Sequence, residues 1–378
     1  MKEQVRLYRR ALSGTSVLAV ATLAFPLVTA PVAFAKPATA SSTAVISVYA
    51  TGFNNPRGLK FGPDGNLYVA EGGPGGTNST VGQCDQVPAP VGPYTGSATG
   101  GRISKVVNHV RTTVVDSFPS SQISAGQGGL VSGVADVAFI GNTLYALLGG
   151  AGCSHGVLNS TNGIYRVNGN GSTSLIADLS AFQQFHPVAH PEPDDFEPDG
   201  TWYSMVAERG SFYAVEPNHG ELVRVTTGGQ ITRVADISAS QGHIVPTAIA
   251  YHGNFYVGNL NPFPIQSGSS KIYKLTPSGQ IQPVVWGLTA VLGVAFDHRA
   301  RMYVLENTTG HPFPTPGTGQ IVRVTGFANK EVIASGLFLP TAMTFGPDGA
   351  LYVSNKGFGP PASLPDGPGE VLRITVPD

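Results

Sequence analysis

One motif returns six times along the chain, and its repetition decides what the chain can fold into. The first copy reads Pro56-Arg57-Gly58-Leu59-Lys60-Phe61, then Gly62-Pro63-Asp64-Gly65, then Asn66-Leu67-Tyr68-Val69. An alternating run, a tight Pro-Asp-Gly turn and a β-branched, aromatic run together describe a β-hairpin. Its tyrosine recurs at Tyr145, Tyr213, Tyr256, Tyr303 and Tyr352, at spacings of 77, 68, 43, 47 and 49 residues. A third run follows each hairpin and carries a basic residue, as in Ile103-Ser104-Lys105-Val106 or Ile321-Val322-Arg323-Val324. A fourth comes after a short turn, as in Gln230-Ile231-Thr232-Arg233-Val234. Four strands in each of six repeats predict an all-β fold, a six-bladed β-propeller of four-stranded blades. The last repeat stops after its third strand, but Val45 to Phe53 carries the missing fourth-strand pattern. The N-terminal strand is therefore expected to complete the last blade and close the ring, which removes the edges an open sheet would expose.

Composition agrees with one large folded unit. Gly (49) and Pro (30) fill about a fifth of the 378 positions, and only 12% of residues are charged against 41% hydrophobic. Such a chain has neither the charge nor the Pro and Gly excess of a disordered one. Residues 1–35 read as a secretory signal: Lys2, Arg6, Arg9 and Arg10 precede an apolar run from about Val17 to Val32, and Ala33-Phe34-Ala35 supplies a cleavage site before Lys36. Residues 36–43 form a flexible lead-in and 44–378 the single propeller domain. No later segment has the ~20 apolar residues of a spanning helix, so no membrane span is expected after signal removal. The mature chain, at 18 basic against 22 acidic residues, has a net charge of −4 and no electrostatic reason to bind nucleic acid. A secreted monomer is expected.

Closure dictates where the connections emerge. Links from first to second and from third to fourth strands share one face and are short turns, such as Pro63-Asp64-Gly65, Gly141-Asn142 and Ser278-Gly279. The length variation falls on the other face, in residues 72–100, 149–162, 181–201, 259–270, 307–319 and 356–369. Loops beyond ~12–15 residues in a compact domain are usually functional or disordered, so this rim is expected to carry a ligand or partner.

Three residues after the marker tyrosines stand Glu71, Leu148, Glu216, Asn259, Glu306 and Asn355, at the mouths of the second strands on the long-loop face. Asp136 adds a carboxylate where the first repeat has Gly58. An oxygen-rich ring suits a hard cation such as Ca²⁺ or could polarise a carbonyl; the plainer reading is that these groups tie down adjoining loops through backbone N–H groups. The third-strand bases Lys105, Arg166, Arg224, Lys274, Arg323 and Arg373 point in six directions around a disc, which suits structural pairing and not phosphate tracking. His186, His190, Glu192, Asp194 and Asp195 crowd one loop, but Pro187, Pro191 and Pro193 exclude the helix that would align the histidines. No nucleophile elbow, His-Glu-x-x-His, P-loop or Cys-x-x-Cys motif is present. Cys84 and Cys153, the only cysteines, lie in same-face loops of neighbouring blades and are expected to pair in a secreted chain. Asn78, Asn159, Asn170 and Asn307 begin Asn-x-Ser/Thr sequons.

Pro56-Arg57-Gly58-Leu59 with Pro63-Asp64-Gly65-Asn66-Leu67-Tyr68-Val69, the run Val134-Ala135-Asp136-Val137-Ala138-Phe139, and Pro312-Phe313-Pro314-Thr315-Pro316-Gly317-Thr318-Gly319 resemble the ScyD/ScyE family of secreted propeller proteins. The resemblance spans roughly residues 45 to 376, and the hairpin motif is shared more loosely with NHL repeats. It implies a propeller and brings no known catalytic residue set. Two function classes stand open: a binding or scaffolding module whose looped rim holds an extracellular protein, glycan or small molecule, and a propeller enzyme with a metal or quinone at the channel mouth, either a lactonase-like hydrolase or a sugar dehydrogenase. The lack of a catalytic motif favours the first.

Overall fold

The computed structural model describes residues 44–124, 130–191, 193, 196–358 and 368–377. The expected signal, residues 1–35, and the lead-in, 36–43, lie outside the described residues, as do residues 359–367 of the sixth long connection. The described chain forms a six-bladed propeller. Ile46–Phe53 (β1) is set apart as the outer strand of the last blade. Blade one is Pro56–Phe61 (β2), Leu67–Glu71 (β3), Thr95–Val107 (β4) and Val110–Gln122 (β5), with the two-residue Val131–Ser132 (β6) on its outer edge. Blade two is Val134–Ile140 (β7), Thr143–Leu148 (β8), Gly163–Val167 (β9) and Thr173–Asp178 (β10), followed by the short helix Leu179–Phe185 (α1). Blade three is Ser204–Glu208 (β11), Ser211–Glu216 (β12), Glu221–Thr226 (β13) and Ile231–Asp236 (β14), followed by Ile237–Gln241 (α2). Blade four is Pro246–Tyr251 (β15), Phe255–Asn259 (β16), Ser270–Leu275 (β17) and Ile281–Leu288 (β18). Blade five is Val291–Phe296 (β19), Met302–Glu306 (β20), Gly319–Val324 (β21) and Lys330–Leu337 (β22). Blade six is Ala342–Phe345 (β23), Leu351–Asn355 (β24) and Gly369–Ile374 (β25), completed by β1.

The N-terminal strand closes the ring as expected. Ile46 lies opposite Ile374 and Phe53 opposite Gly369, with the strands antiparallel. Further bonds seal blade six to blade one: Ser354 Oγ donates to the Arg57 carbonyl at 2.6 Å and Thr341 Oγ1 to that of Pro56 at 2.6 Å. Among the described residues, each junction between adjacent blades holds its own apolar cluster. Ile103, Val137 and Ala146 meet between blades one and two, and Tyr303, Leu305, Ile321 and Leu351 between five and six. The third-to-fourth-strand turns of blades three and four latch each to the blade before it. Gly229 and Gly279 sit there at φ +87° and +88°, and a Cβ on either would lie 2.3 Å from the Ile176 carbonyl oxygen or 2.5 Å from that of Val234, on the outer strand of the preceding blade. Only glycine meets both demands.

Two of the marker tyrosines acquire a role at the turn face. Tyr68 Oη donates to Asp64 Oδ2 at 3.0 Å and Tyr352 Oη to Asp348 Oδ2 at 3.1 Å, while Lys105 and Arg373 reach the same carboxylates at 2.7 and 2.8 Å. Arg323 pairs with Glu331 at 2.6 Å and Arg224 Nε donates to Ser211 Oγ at 3.1 Å. These third-strand bases therefore serve intrablade pairing. Two features depart from the sequence reading. Strand β4 begins at Thr95, so the end of the expected 72–100 loop is strand, extended through register shifts between Ser97 and Ser104. The helices α1 and α2 have no counterpart in the repeat pattern; Asp178 and Asp236 cap them by accepting from Ala181 N at 2.8 Å and Ala239 N at 3.0 Å.

Candidate functional site

The six inner strands β2, β7, β11, β15, β19 and β23 neighbour one another around the axis. They leave a channel cavity of about 30 Å³ lined by Gly58, Lys60, Asp136, Tyr203, Leu292 and Met343, among others. That is room for ordered water, which needs roughly 10–15 Å³ of such space. Asp136 is buried in its wall, with Oδ1 accepting from Val137 N at 2.8 Å and Oδ2 from Met205 N at 2.9 Å, across to blade three. Burial pushes its carboxyl above the usual range, against the pull of Lys60 and these two N–H groups. On the long-loop side Leu260, Ile265, Ala290 and Leu292 cluster with Tyr203, Val245 and Phe313. The connections of blades four and five thus meet over the channel through apolar contacts.

All six second-strand termini are buried, and the five polar ones are hydrogen-bonded. Glu71 accepts from Asn54 N at 2.7 Å and from Arg102 at 2.5 Å, and Ser104 Oγ also donates to it. Glu216 accepts from Thr201 N at 2.9 Å and His219 N at 2.5 Å. Asn259 donates to the Ile244 carbonyl at 2.9 Å and accepts from Lys271 N at 2.7 Å. Glu306 accepts from Thr289 N at 2.6 Å and Gln320 Nε2 at 2.7 Å; burial raises its carboxyl above the ordinary value despite those bonds. Asn355 accepts from Phe338 N at 2.8 Å and donates to Glu370 at 2.8 Å. Residues 54, 201, 244, 289 and 338 all belong to linkers entering a blade from its predecessor. The five side chains consequently bracket each incoming linker to a second strand. Leu148 breaks the series in blade two, where Asn162 bonds the Ala151 N–H at 2.7 Å and the Gly200 carbonyl at 2.6 Å. No group of three or more His, Cys, Asp or Glu side chains suited to a metal occurs among the described residues.

The rim over blades one to three is polar and internally bonded. Cys84 and Cys153 form the expected disulfide, joining the 72–94 connection to that of blade two. Two residues on, His155 is buried, with Ser121 Oγ 2.9 Å from Nδ1 and the Gly200 carbonyl 3.1 Å from Nε2. A carbonyl can only accept, so the proton sits on Nε2 and Ser121 donates to Nδ1. Burial lowers the His155 pKa and keeps the ring neutral. Glu197 Oε2 lies 3.5 Å from Nε2, and Tyr94 Oη donates to Glu197 Oε1 at 2.5 Å. This serine, histidine and glutamate have the composition of a hydrolytic triad, but Ser121 and His155 have no accessible surface and the group ties strand β5 to the connections that hold His155 and Glu197. Sequence reasoning missed it because its members come from a strand and separate connections with no shared spacing. A cleft of about 340 Å³ opens beside it, lined by Pro74, Gly75, Gly76, Thr77, Asn78, Gly96, Ser97 and Gln122.

The histidine-rich loop is divided among different contacts. His186 ends α1, stacked on Phe182 with ring centroids 4.6 Å apart, whereas the His190 N–H donates to Ser238 Oγ at 3.0 Å. Glu192, Asp194 and Asp195 lie outside the described residues. Of the sequons, Asn78, Asn159 and Asn170 are exposed, while Asn307 is buried and donates to the Pro340 carbonyl at 2.9 Å.

Neither a family model nor a curated protein matches the sequence. Solved structures of similar fold include a putative oxidoreductase (glucose dehydrogenase) from Thermus thermophilus, 17% identical, with 88% of this chain and 100% of that chain covered at a TM-score of 0.56. Another is the PQQ-bound aldose sugar dehydrogenase from Streptomyces coelicolor, 14% identical, with 88% and 99% covered at 0.52. A third is a gluconolactonase from Xanthomonas campestris, 10% identical, with 88% and 90% covered at 0.54. At these identities the likeness is one of fold, and the chain is similar to all three as a propeller.

Proposed function

We propose that this protein is a secreted binding or scaffolding propeller of the ScyD/ScyE kind, which holds an extracellular ligand on its long-loop face. The observation that carries this reading is the asymmetry of the faces: among the described residues one consists of tight turns, and the other carries the long connections, of which those over blades one to three are tied together by the disulfide and the buried polar network. The disulfide fits an oxidising compartment. Binding to isolated cell envelope and secreted polymer of the producing organism, measured by co-sedimentation, tests the reading. Single substitutions on the rim (Val81→Glu, Leu158→Glu, Phe263→Glu) are compared with substitutions on the turn face (Asn142→Glu, Ser278→Glu). At least one rim variant should lose binding while both turn-face variants keep it; the opposite pattern, or no binding at all, defeats the proposal.

A second reading is a propeller enzyme, a lactonase-like hydrolase or a quinone-dependent sugar dehydrogenase. The sugar dehydrogenases and gluconolactonase of similar fold support it. Fold alone does not assign a reaction. Metal content and visible absorption of the purified mature chain decide this reading: a stoichiometric metal or a quinone chromophore would favour it over simple binding.

A further inference from the structure

We infer that the rim over blades four and five is a binding platform for a neutral carbohydrate, centred on Phe263. The inference rests on the binding function proposed above and names its ligand class. Residues 260–269 and 307–318 form adjoining connections on the long-loop face and contain no Asp, Glu, Lys or Arg. Phe263 stands at their surface with 57% of its area exposed. Its ring meets that of half-buried Phe313 edge to face at 5.1 Å, and Phe313 meets buried Phe358 edge to face at 6.1 Å, so the exposed ring is the outermost of three aromatic rings whose middle member packs on the channel-mouth cluster.

The backbone beneath is set before any ligand arrives. Ile265 is buried in the channel-mouth cluster, the Gly268 N–H donates to Thr289 Oγ1 at 2.9 Å, and Asn261 Nδ2 donates to Ser269 Oγ at 2.9 Å. In the neighbouring connection Thr308 Oγ1 donates to the Thr315 carbonyl at 3.1 Å and Thr309 Oγ1 to the Thr318 carbonyl at 2.9 Å. Ser267 Oγ and His311 Nε2 join the two connections directly. An aromatic surface held by this many internal bonds loses little conformational freedom on binding.

The chemistry around the ring selects the occupant. Exposed Gln266, Ser267 and His311 offer hydrogen-bonding groups beside an uncovered aromatic face. A pyranose presents an apolar C–H face and a rim of hydroxyls, which matches this combination. An anionic or cationic polymer finds no carboxylate, lysine or arginine counter-charge in either connection. A proline-rich peptide docks into slots between aromatic ridges, and half-buried Phe313 does not rise beside Phe263 as a second ridge.

The test uses the mature full-length chain in affinity gel electrophoresis, with neutral glucan, mannan and galactan in separate gels and alginate as the charged control. A proline-rich peptide is titrated in parallel. Retardation by at least one neutral polysaccharide and not by alginate is expected. Phe263→Ala should weaken it by roughly tenfold, the scale for uncovering one aromatic contact, and Phe263→Tyr should restore it. Retardation untouched by Phe263→Ala overturns the placement on this platform while leaving a binding rim elsewhere. Binding of the peptide in place of all three glycans overturns the ligand class and again leaves the rim. No retardation by any neutral polysaccharide overturns the inference, and the envelope co-sedimentation then reports independently on the binding function itself.

Discussion

At the residue scale, the clearest complementarity lies between Gly58 and Asp136. The two occupy equivalent positions in the first and second repeats, and a Cβ added to Gly58 would stand 1.9 Å from Asp136 Oδ1. The carboxylate of blade two thus occupies the space that a side chain in blade one would need. Gly58→Ala should cost about 1–3 kcal/mol through overpacking. Combined with Asp136→Ala it should cost less than the two single losses added together, as denaturant unfolding of the four proteins of a double-mutant cycle would reveal. Strict additivity would refute the contact. The turn-face carboxylates give a pH prediction. Desolvation acts to raise Asp348, but the bonds from Arg373, the Ala350 N–H and Tyr352 together hold its pKa below the ordinary value. A depressed folded-state pKa contributes stability above the unfolded value of ~3.9 and loses it as pH falls through the folded value. Because both partners are partly exposed, Asp348→Asn should cost under about 1 kcal/mol at pH 7, and the difference from wild type should vanish in acid. Unfolding curves at several pH values check this.

At the scale of elements, β1 is the strand on which the ring depends. It pairs with β25 across more than 300 residues of chain, from Ile46 opposite Ile374 to Phe53 opposite Gly369. Deleting residues 44–53 removes that partner, leaves β25 as an open edge and uncovers apolar surface at the junction of blades six and one, where Ala50 and Phe53 are buried. Aggregation or a marked fall in Tm is expected. Deleting 36–43 should leave Tm unchanged. Equal behaviour of the two shortened chains in size-exclusion chromatography and thermal unfolding would contradict closure by this strand.

For the whole molecule, the disulfide is the covalent tie between two blades. Cys84 and Cys153 are 69 residues apart in sequence, and a cross-link closing a loop of that length is worth on the order of 4 kcal/mol in the chain-entropy model. Thiol titration of the unreduced denatured protein should find no free cysteine. The Cys84→Ser, Cys153→Ser double variant should unfold at lower denaturant concentration while keeping its β-sheet circular dichroism, because the blade junctions do not use the cysteines. Two titratable thiols in the unreduced protein would overturn the pairing.

The repeat period, the marker tyrosines and the unpaired fourth-strand pattern near the N-terminus are enough to read six blades, their closure and the separation of long connections from tight turns. These are local hydrophobic patterns, and a propeller is built from successive local hairpins, so the chain order carries the topology. The placing of Cys84 and Cys153 in same-face connections makes their pairing legible for the same reason. What each polar side chain does was decided by tertiary structure. Spacing puts Glu71, Glu216, Asn259, Glu306 and Asn355 at equivalent strand ends, but their partners are backbone groups of linkers arriving from neighbouring blades. The union of Tyr94, Ser121, His155 and Glu197, and the aromatic chain of Phe263, Phe313 and Phe358, each draw on segments from different blades. Such contacts depend on how irregular loops pack over the closed ring, and no periodicity in the sequence encodes that.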